Sequence, residues 1–146
     1  MIIGEYHQKI GEKSRIAFPK KFREELGNKL IITKGYEGCL VIVSPAQWEE
    51  LVGQSISGPF VSGLIRDTSR FLLASASELD LDSQGRFVMP EYLKTYAQIS
   101  TEGVFIGLGR WVELWDLQKK KKKVQELEKN SGVVADKLAG LQLGDK

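Results

Sequence analysis

Two arginines stand at matching places in a stretch of sequence that occurs twice. The copies are Gly11–Pro19 and Asp82–Pro90, and each runs from a short polar segment through an arginine and three apolar residues to a proline. Arg15 and Arg86 therefore follow a predicted turn and begin a predicted strand. A guanidinium near a hairpin tip can place its planar fork of donors on a guanine edge or a phosphate. This pattern indicates binding chemistry.

An ion pair is the ordinary alternative for an exposed arginine, and Asp82 is an obvious partner for Arg86. Two arginines at matching positions of a repeat favour binding over that alternative. Basic residues also cluster around the first copy, where they would attract phosphates irrespective of base sequence. This cluster consists of Lys9, Lys13, Lys20, Lys21 and Arg23.

Residues suited to catalysis are sparse. His7 and Cys39 are the only histidine and cysteine, and no nucleophile, base and orienting residue form a recognisable motif. Glu78, Asp80 and Asp82 alternate along a predicted strand, which is more typical of a solvated face than of a cation site. We therefore expect a protein that is not an enzyme and that uses no cofactor and no metal.

The charge is distributed unevenly along the 146 residues, although the formal net charge is only +2. Residues 1–35 and 119–146 each carry eight Lys/Arg against four Asp/Glu, whereas residues 36–118 carry five against eleven. Two basic ends around an acidic middle suit a protein that turns one face toward a polyanion. No apolar run is long enough for a membrane span, so we expect no membrane association and a cytoplasmic location.

The hydrophobic pattern predicts the same order of elements twice, namely strand, strand, short helix, strand, strand. In each copy the first two strands are expected to form a hairpin around the arginine turn, and the last two a second hairpin. The first copy comprises strands 4–10 and 15–18, helix 19–26, and strands 30–33 and 39–43. The second comprises strands 77–81 and 86–89, helix 90–97, and strands 104–108 and 111–115.

These elements divide the chain into four parts. We expect a first half at 1–52, a linker and helix at 53–75, a second half at 76–117, and a basic helical or disordered tail at 118–146. The lysine run Lys119–Lys123 is either an arm that contacts a nucleic-acid backbone or a solvated segment, meaning a solvated helix face or a disordered tail, and the second interpretation is favoured. Beyond about Asn130 we expect fraying or disorder.

With the repeat in view, residues 1–117 resemble the MraZ family of bacterial transcriptional regulators. The family carries a D-x-x-x-R motif in each half, which Asp82–Arg86 matches fully and Gly11–Arg15 matches in part. Further resemblance lies in Ile3–Tyr6, Lys13–Ile16, Pro19–Gly27, Lys34–Gly35, Gly38–Leu40, Ala76–Glu78 and Val112–Trp115.

This resemblance implies an α+β fold, a tandem-repeat double-split β-barrel of the AbrB/MazE type with swapped hairpins and short helices. It also implies a homo-oligomeric ring, an octamer or larger. The partner would be double-stranded DNA, bound at direct repeats in the promoter of the division and cell wall gene cluster, usually with repression and in association with the nucleoid. Arg15 and Arg86 would contact the DNA, with Lys13 as a neighbour.

The first motif departs from the family pattern, because Gly11 replaces the aspartate and Ser14 replaces the usual glycine. We therefore expect a looser first turn, or an Arg15 that is less constrained by a neighbouring anion. An alternative function also follows from the resemblance, since the same barrel occurs in antitoxins. In that case the chain would be an interaction module whose main partner is a protein held by the C-terminal tail.

Overall fold

The computed structural model describes residues 1–144 as an α+β fold in which antiparallel strands form one large sheet and one short ribbon. The predicted order of elements is found in both halves. The first half contains β1 (Ile2–Lys9), β2 (Arg15–Ala17), α1 (Lys20–Leu26), β3 (Lys29–Lys34) and β4 (Leu40–Val43), followed by α2 (Pro45–Ser55) and α3 (Gly63–Leu72). The second contains β5 (Ser77–Asp80), β6 (Arg86–Val88), α4 (Glu91–Ala97), β7 (Glu102–Gly109), β8 (Val112–Asp116) and α5 (Leu117–Gly144).

Strand pairing joins the two halves. The six-stranded sheet has the order β1-β7-β8-β4-β3-β5, so the first strand of each half pairs with the third strand of the other. The predicted hairpins β3–β4 and β7–β8 are confirmed. The hairpins predicted around the two arginine turns are wrong, because β2 and β6 pair with each other as a separate two-stranded ribbon.

This exchange follows from what the short strands bury. Ile16 of β2 lies opposite Phe87 of β6, and both side chains are buried in a core that takes residues from both halves. Phe105 of β7 contacts an aromatic residue from each half. The centroid of its ring lies 5.5 Å from that of Phe18 and 6.5 Å from that of Phe87. A three-residue strand buries little by itself, so the ribbon is held by this shared apolar layer.

The helices begin where the local sequence predicts. Ser44 and Gln47 form a reciprocal capping box at the start of α2, with Pro45 at the first helical position. Pro19 and Pro90 directly precede α1 and α4 with nearly identical backbone angles, φ −56° in both. The repeat therefore extends from the sequence to the conformation of each strand-to-helix junction.

The C-terminal helix differs most from expectation. The expected fraying beyond about Asn130 is wrong for the described residues, because α5 continues without interruption to Gly144. Asp116 starts this helix by accepting hydrogen bonds from the backbone N–H groups of Gln118 (3.1 Å) and Lys119 (3.3 Å). No proline follows Pro90 in the sequence, and most of the tail consists of good helix formers, so the regular backbone bonding continues.

Candidate nucleic-acid interface

The β2–β6 ribbon places the two arginines on one surface. Arg15 lies opposite Val88, and Ala17 lies opposite Arg86. Side chains directly opposite each other point to the same face, and so do those two residues apart along a strand. Arg15 and Arg86 thus form a diagonal pair on the outer face, and diagonal neighbours of this kind are usually about 7–8 Å apart, with a somewhat shorter distance between their Cβ atoms. The inner face is buried.

The second turn holds its arginine through a carboxylate. Asp82 Oδ1 accepts hydrogen bonds from the backbone N–H groups of Gln84 and Arg86, both at 2.9 Å. Its Oδ2 accepts a bond of 3.1 Å from Nε of Arg86. These bonds lower the pKa of Asp82 below its ordinary value. The largest contribution comes from the N–H of Arg86, and the N–H of Gln84 and the guanidinium add to it.

The ion pair foreseen for Arg86 is therefore present, but it engages only one edge of the guanidinium. Within the described residues, the two terminal nitrogens of Arg86 have no hydrogen-bond partner. The side chain is half-exposed, and its fork remains available to a ligand. Asp82 thus acts as an orienting group for Arg86.

The first turn is closed by the same backbone hydrogen bond as the second, without that carboxylate and with a different local conformation. The N–H of Gly11 bonds the carbonyl of Arg15 at 2.8 Å, just as the N–H of Asp82 bonds that of Arg86 at 2.9 Å. Lys13 and Ser14 both adopt left-handed angles, φ 58°, where the second turn has Gly85 at φ 75°. Arg15 itself is exposed and makes no side-chain hydrogen bond or ion pair within residues 1–144.

Each turn is closed by residues of the opposite half. The N–H of Phe18 bonds the carbonyl of Gly85, and the N–H of Met89 bonds the carbonyl of Ser14, both at 2.9 Å. Lys94 of α4 donates a bond of 3.2 Å to the hydroxyl of Ser14. These contacts couple the two turns.

Arg23 of α1 covers the second turn from the equivalent position, by packing and without a hydrogen bond to its buried Nε in the described residues. Its guanidinium lies so close to Gly85 that a Cβ atom there would overlap it. Arg23 and Lys94 stand four residues after Pro19 and Pro90, so they are equivalent in the repeat. Sequence reasoning missed Lys94, although a basic residue at this position of both copies was a usable signal.

The four predicted phosphate contacts border the first turn. Lys13 lies on the turn, Lys9 ends β1 just before it, and Lys20 and Lys21 begin α1 just after the ribbon. All four side chains are exposed, and none forms an ion pair within the described part of the chain. Their counterparts in the second half are Asp80, Gln84, Glu91 and Tyr92, so the first turn has much the more basic surroundings.

The lysine run has a different role from the one favoured above. Lys119 donates to the carbonyls of Gly38 (2.8 Å) and Ala97 (3.4 Å). Lys120 pairs with Glu5 at 2.9 Å, and Lys123 pairs with Glu37 at 3.2 Å. The interpretation of the whole run as a solvated segment is thus wrong for these three lysines, which fasten α5 to the body, whereas Lys121 and Lys122 are exposed.

The histidine and the cysteine that were considered for catalysis both make ordinary structural contacts. His7 lies 3.2 Å from Glu5 on the outer side of β1. The pKa of the Cys39 thiol is raised, mainly by burial. The thiol donates a hydrogen bond to the carbonyl of Tyr36. In residues 1–144 no group of three or more His, Cys, Asp or Glu side chains could hold a metal ion. No helix in that range is both long enough and apolar enough to cross a membrane.

Comparison with known proteins agrees with this architecture. A family model described as "MraZ protein, putative antitoxin-like" matches residues 1–71 and again residues 72–139. A protein of Syntrophomonas wolfei is 41% identical over 119 residues, which cover 82% of this chain and 83% of the relative. Relatives from Roseiflexus castenholzii and Moorella thermoacetica are 34% and 35% identical, cover 97% and 98% of this chain, and are themselves covered over 99% and 100% of their lengths. All three are named "Transcriptional regulator MraZ" and not as enzymes. This chain belongs to the MraZ family.

Proposed function

We propose that this protein is a transcription regulator that binds double-stranded DNA sequence-specifically through the outer face of the β2–β6 ribbon. The observation that supports this proposal is the diagonal pair of outward guanidinium groups, Arg15 and Arg86. A two-stranded ribbon fits the major groove, which is about 12 Å wide, and arginine is the commonest side chain that reads guanine there.

The two arginines are proposed to do different work. Arg86 is oriented by Asp82 and keeps its terminal nitrogens available, which suits bidentate contact with one guanine. Arg15 has no orienting anion and lies among lysines that attract phosphates, which suits an anchoring contact with the backbone. The repeat would then supply one base reader and one anchor, with Lys9, Lys13, Lys20 and Lys21 adding phosphate contacts.

The setting of this activity follows the family. We infer a repressor that is cytoplasmic, associates with the nucleoid, and binds direct repeats in the promoter of the division and cell wall gene cluster. The exchanged strands support a double-split barrel with swapped hairpins as the description of the fold. A homo-oligomeric ring, an octamer or larger, would present several ribbons to successive repeats, and tethering would raise the effective concentration of each ribbon.

The proposal is tested by DNA-binding measurements on single variants. The probe is the DNA upstream of the protein's own gene, titrated by fluorescence anisotropy with a scrambled duplex beside it. Arg86→Ala should lose about 1–3 kcal/mol of the binding free energy for the upstream DNA, which is roughly a 5- to 150-fold loss of affinity. It should also reduce the ratio between the affinities for the upstream DNA and the scrambled duplex. Arg110→Ala is the matched control. Arg110 is an exposed arginine in the β7–β8 loop, and it pairs with Glu50 of α2.

Arg15→Ala should weaken binding to both duplexes in similar proportion. Lys20→Gln and Lys21→Gln should each make the slope of log affinity against log salt shallower by about 0.9 and leave base preference unchanged. Affinity that stays at the wild-type value in Arg15→Ala, Arg86→Ala and the double variant would overturn the assignment of the ribbon as the DNA-binding surface.

A further inference from the structure

The exposed half of α5 carries an apolar seam with coiled-coil spacing. Positions 124, 127, 131, 134, 138 and 141 are separated by alternating steps of three and four residues, as in an a/d heptad pattern. Leu127, Val134, Leu138 and Leu141 are 48, 51, 54 and 67% exposed. Only Ser131 interrupts the apolar character of this set, which we term the α5 seam (Val124, Leu127, Ser131, Val134, Leu138 and Leu141).

A helix of this kind needs a covering partner. From Gln125 to Gln142 every residue is exposed, so the chain's own body does not support this part of α5. Gly132 and Gly140 each lower helix propensity by about 1 kcal/mol relative to alanine, and most of the stability of a helix in a protein comes from the packing of its apolar face. The regular spacing of the seam along an otherwise polar helix points to association with another apolar surface.

The seam runs directly into an open groove at the base of the helix. Its wall is partly apolar and is also lined by five charged residues, Glu5, Glu37, Glu113, Lys120 and Lys123. Here Val124 and Leu127 face Ile106, Leu108 and Trp115 of the sheet across a cavity of about 410 Å³. Leu108 is 44% exposed in this groove. One continuous surface therefore extends from the sheet to the free end of α5, and a single long apolar helix would cover all of it.

The charges along α5 indicate the direction in which a second α5 would pack against the seam. A parallel second α5 would set lysine run 119–123 beside its own copy and would bring body against body at the groove. An antiparallel second α5 instead places its C-terminal turn, the negative end of the helix dipole, beside that lysine run. It would pair Leu127 with Leu138 of the second copy and bring Leu141 of the second copy to Val124.

We propose that α5 of this chain pairs antiparallel with α5 of a second copy, seam against seam, and that the turn around Leu141 of each helix covers the groove of the other. The contact is isologous, so every seam position is used twice, and it is distinct from the heterologous contacts that would close a ring. It is separate from the ribbon and does not depend on DNA binding.

Cysteine cross-linking tests both the contact and its direction. Leu127→Cys and Leu138→Cys chains carrying different tags are co-expressed, purified as full-length protein, oxidised and resolved on a non-reducing gel. The antiparallel seam brings residue 127 of one chain next to residue 138 of the other, within the reach of a disulfide. The mixed dimer should form, and each variant expressed alone should give little dimer. Cross-linking within either single variant, or none in the mixture, overturns the proposal.

Two adjacent valines provide the specificity control. Val134 lies in the centre of the seam, whereas Val133 is 54% exposed but lies off it. Val134→Asp in the cysteine background should abolish the mixed dimer and lower the mass measured by light scattering, and Val133→Asp should leave both unchanged. Equal effects of the two substitutions would also overturn the proposal. Circular dichroism of both variants reports whether the body remains folded.

Discussion

Arg15 and Arg86 show how one residue type at equivalent positions can acquire different properties. Both lie on the outer face of the ribbon, but within the described residues only Arg86 is bonded to a carboxylate of its own turn. The sequence motif predicted Asp82 as the partner of Arg86, and the structure confirms that ion pair. The cover of Arg23 over Gly85 was not predictable, because it joins residues of different halves.

The acid titration of Asp82 should depend on Arg86. Its pKa is lowered mainly by the N–H of Arg86, with further contributions from the N–H of Gln84 and from the guanidinium. Arg86→Gln removes the charge and keeps both N–H bonds, so the pKa should rise only part of the way to the ordinary 3.8. Carbon-detected NMR titration of the carboxyl group measures this change. Arg15→Gln should leave the Asp82 pKa in place, and the same shift in both variants would contradict the local cause.

The sign of the linked stability follows from the same shift. A carboxyl whose pKa is lower in the folded protein stabilises the fold above its unfolded pKa, and this contribution is lost as the pH falls through the folded value. The second turn should therefore loosen below about pH 3.8, and less of this stabilisation should remain to be lost in Arg86→Gln.

Gly85 should tolerate a side chain poorly because of Arg23. Gly85→Ser copies the residue of the first turn, but its Cβ would displace the guanidinium that covers the glycine. Gly109→Ser is the control, since Gly109 has a similar φ of 85° and open space around it. We expect Gly109→Ser to cost about 1–2 kcal/mol of unfolding free energy, and Gly85→Ser roughly 1–3 kcal/mol more. Urea denaturation of the two variants measures both values, and equal costs would show that Arg23 moves away freely.

Among the elements, α5 differs most from its prediction. The prediction for the tail was based on its charge, its composition and its few apolar residues, and these properties do not reveal which lysines meet acceptors on the body. Lys119, Lys120 and Lys123 share one side of the first turns of the helix, and that side faces the sheet. The same periodicity continues in the α5 seam on the free part of the helix.

Lys119 should contribute more to stability than its neighbours in the run. Lys119→Met keeps the aliphatic stem but loses the bonds to the carbonyls of Gly38 and Ala97, for which we expect about 1.5–3 kcal/mol of lost unfolding free energy. Lys121→Met, at an exposed position of the same run, should change it by less than about 0.5 kcal/mol. Chemical denaturation compares the two, and a Lys121 effect as large as that of Lys119 would contradict the fastening role.

At the scale of the whole molecule, the strands and the local hairpins β3–β4 and β7–β8 were predictable, whereas the pairings between the two halves were not. Hydrophobic periodicity marks strands such as β1 and β2 because it depends on neighbours along the chain. It does not specify that β1 pairs with β7 or that β2 pairs with β6, since those choices depend on which apolar faces meet in the shared core. The same limit applies to the proposed DNA-binding surface. The sequence identified both arginines, but only the register of β2 against β6 places them on one face.

The first half should not fold alone as a monomer. A fragment of residues 1–74 retains the β3–β4 pairing but lacks the partners of β1, of β2 and of the outer edge of β3. We expect it to show no near-ultraviolet circular dichroism signal from Trp48 at low concentration. Order should appear only with dimerisation, in which a second copy supplies equivalent strands, or on addition of residues 75–144. A monomeric fragment with cooperative thermal unfolding would contradict this interdependence of the halves.

On the ribosome, β1 and β2 emerge well before β7 and β6, the strands with which they pair. At about 5–20 residues synthesised per second, the nascent first half waits several seconds with unpaired strand edges. Such edges can pair with a neighbouring nascent chain on the same messenger RNA. The charged and polar residues Glu5, His7 and Lys9 along β1 make that association less favourable, so this strand can remain solvated until the second half is complete.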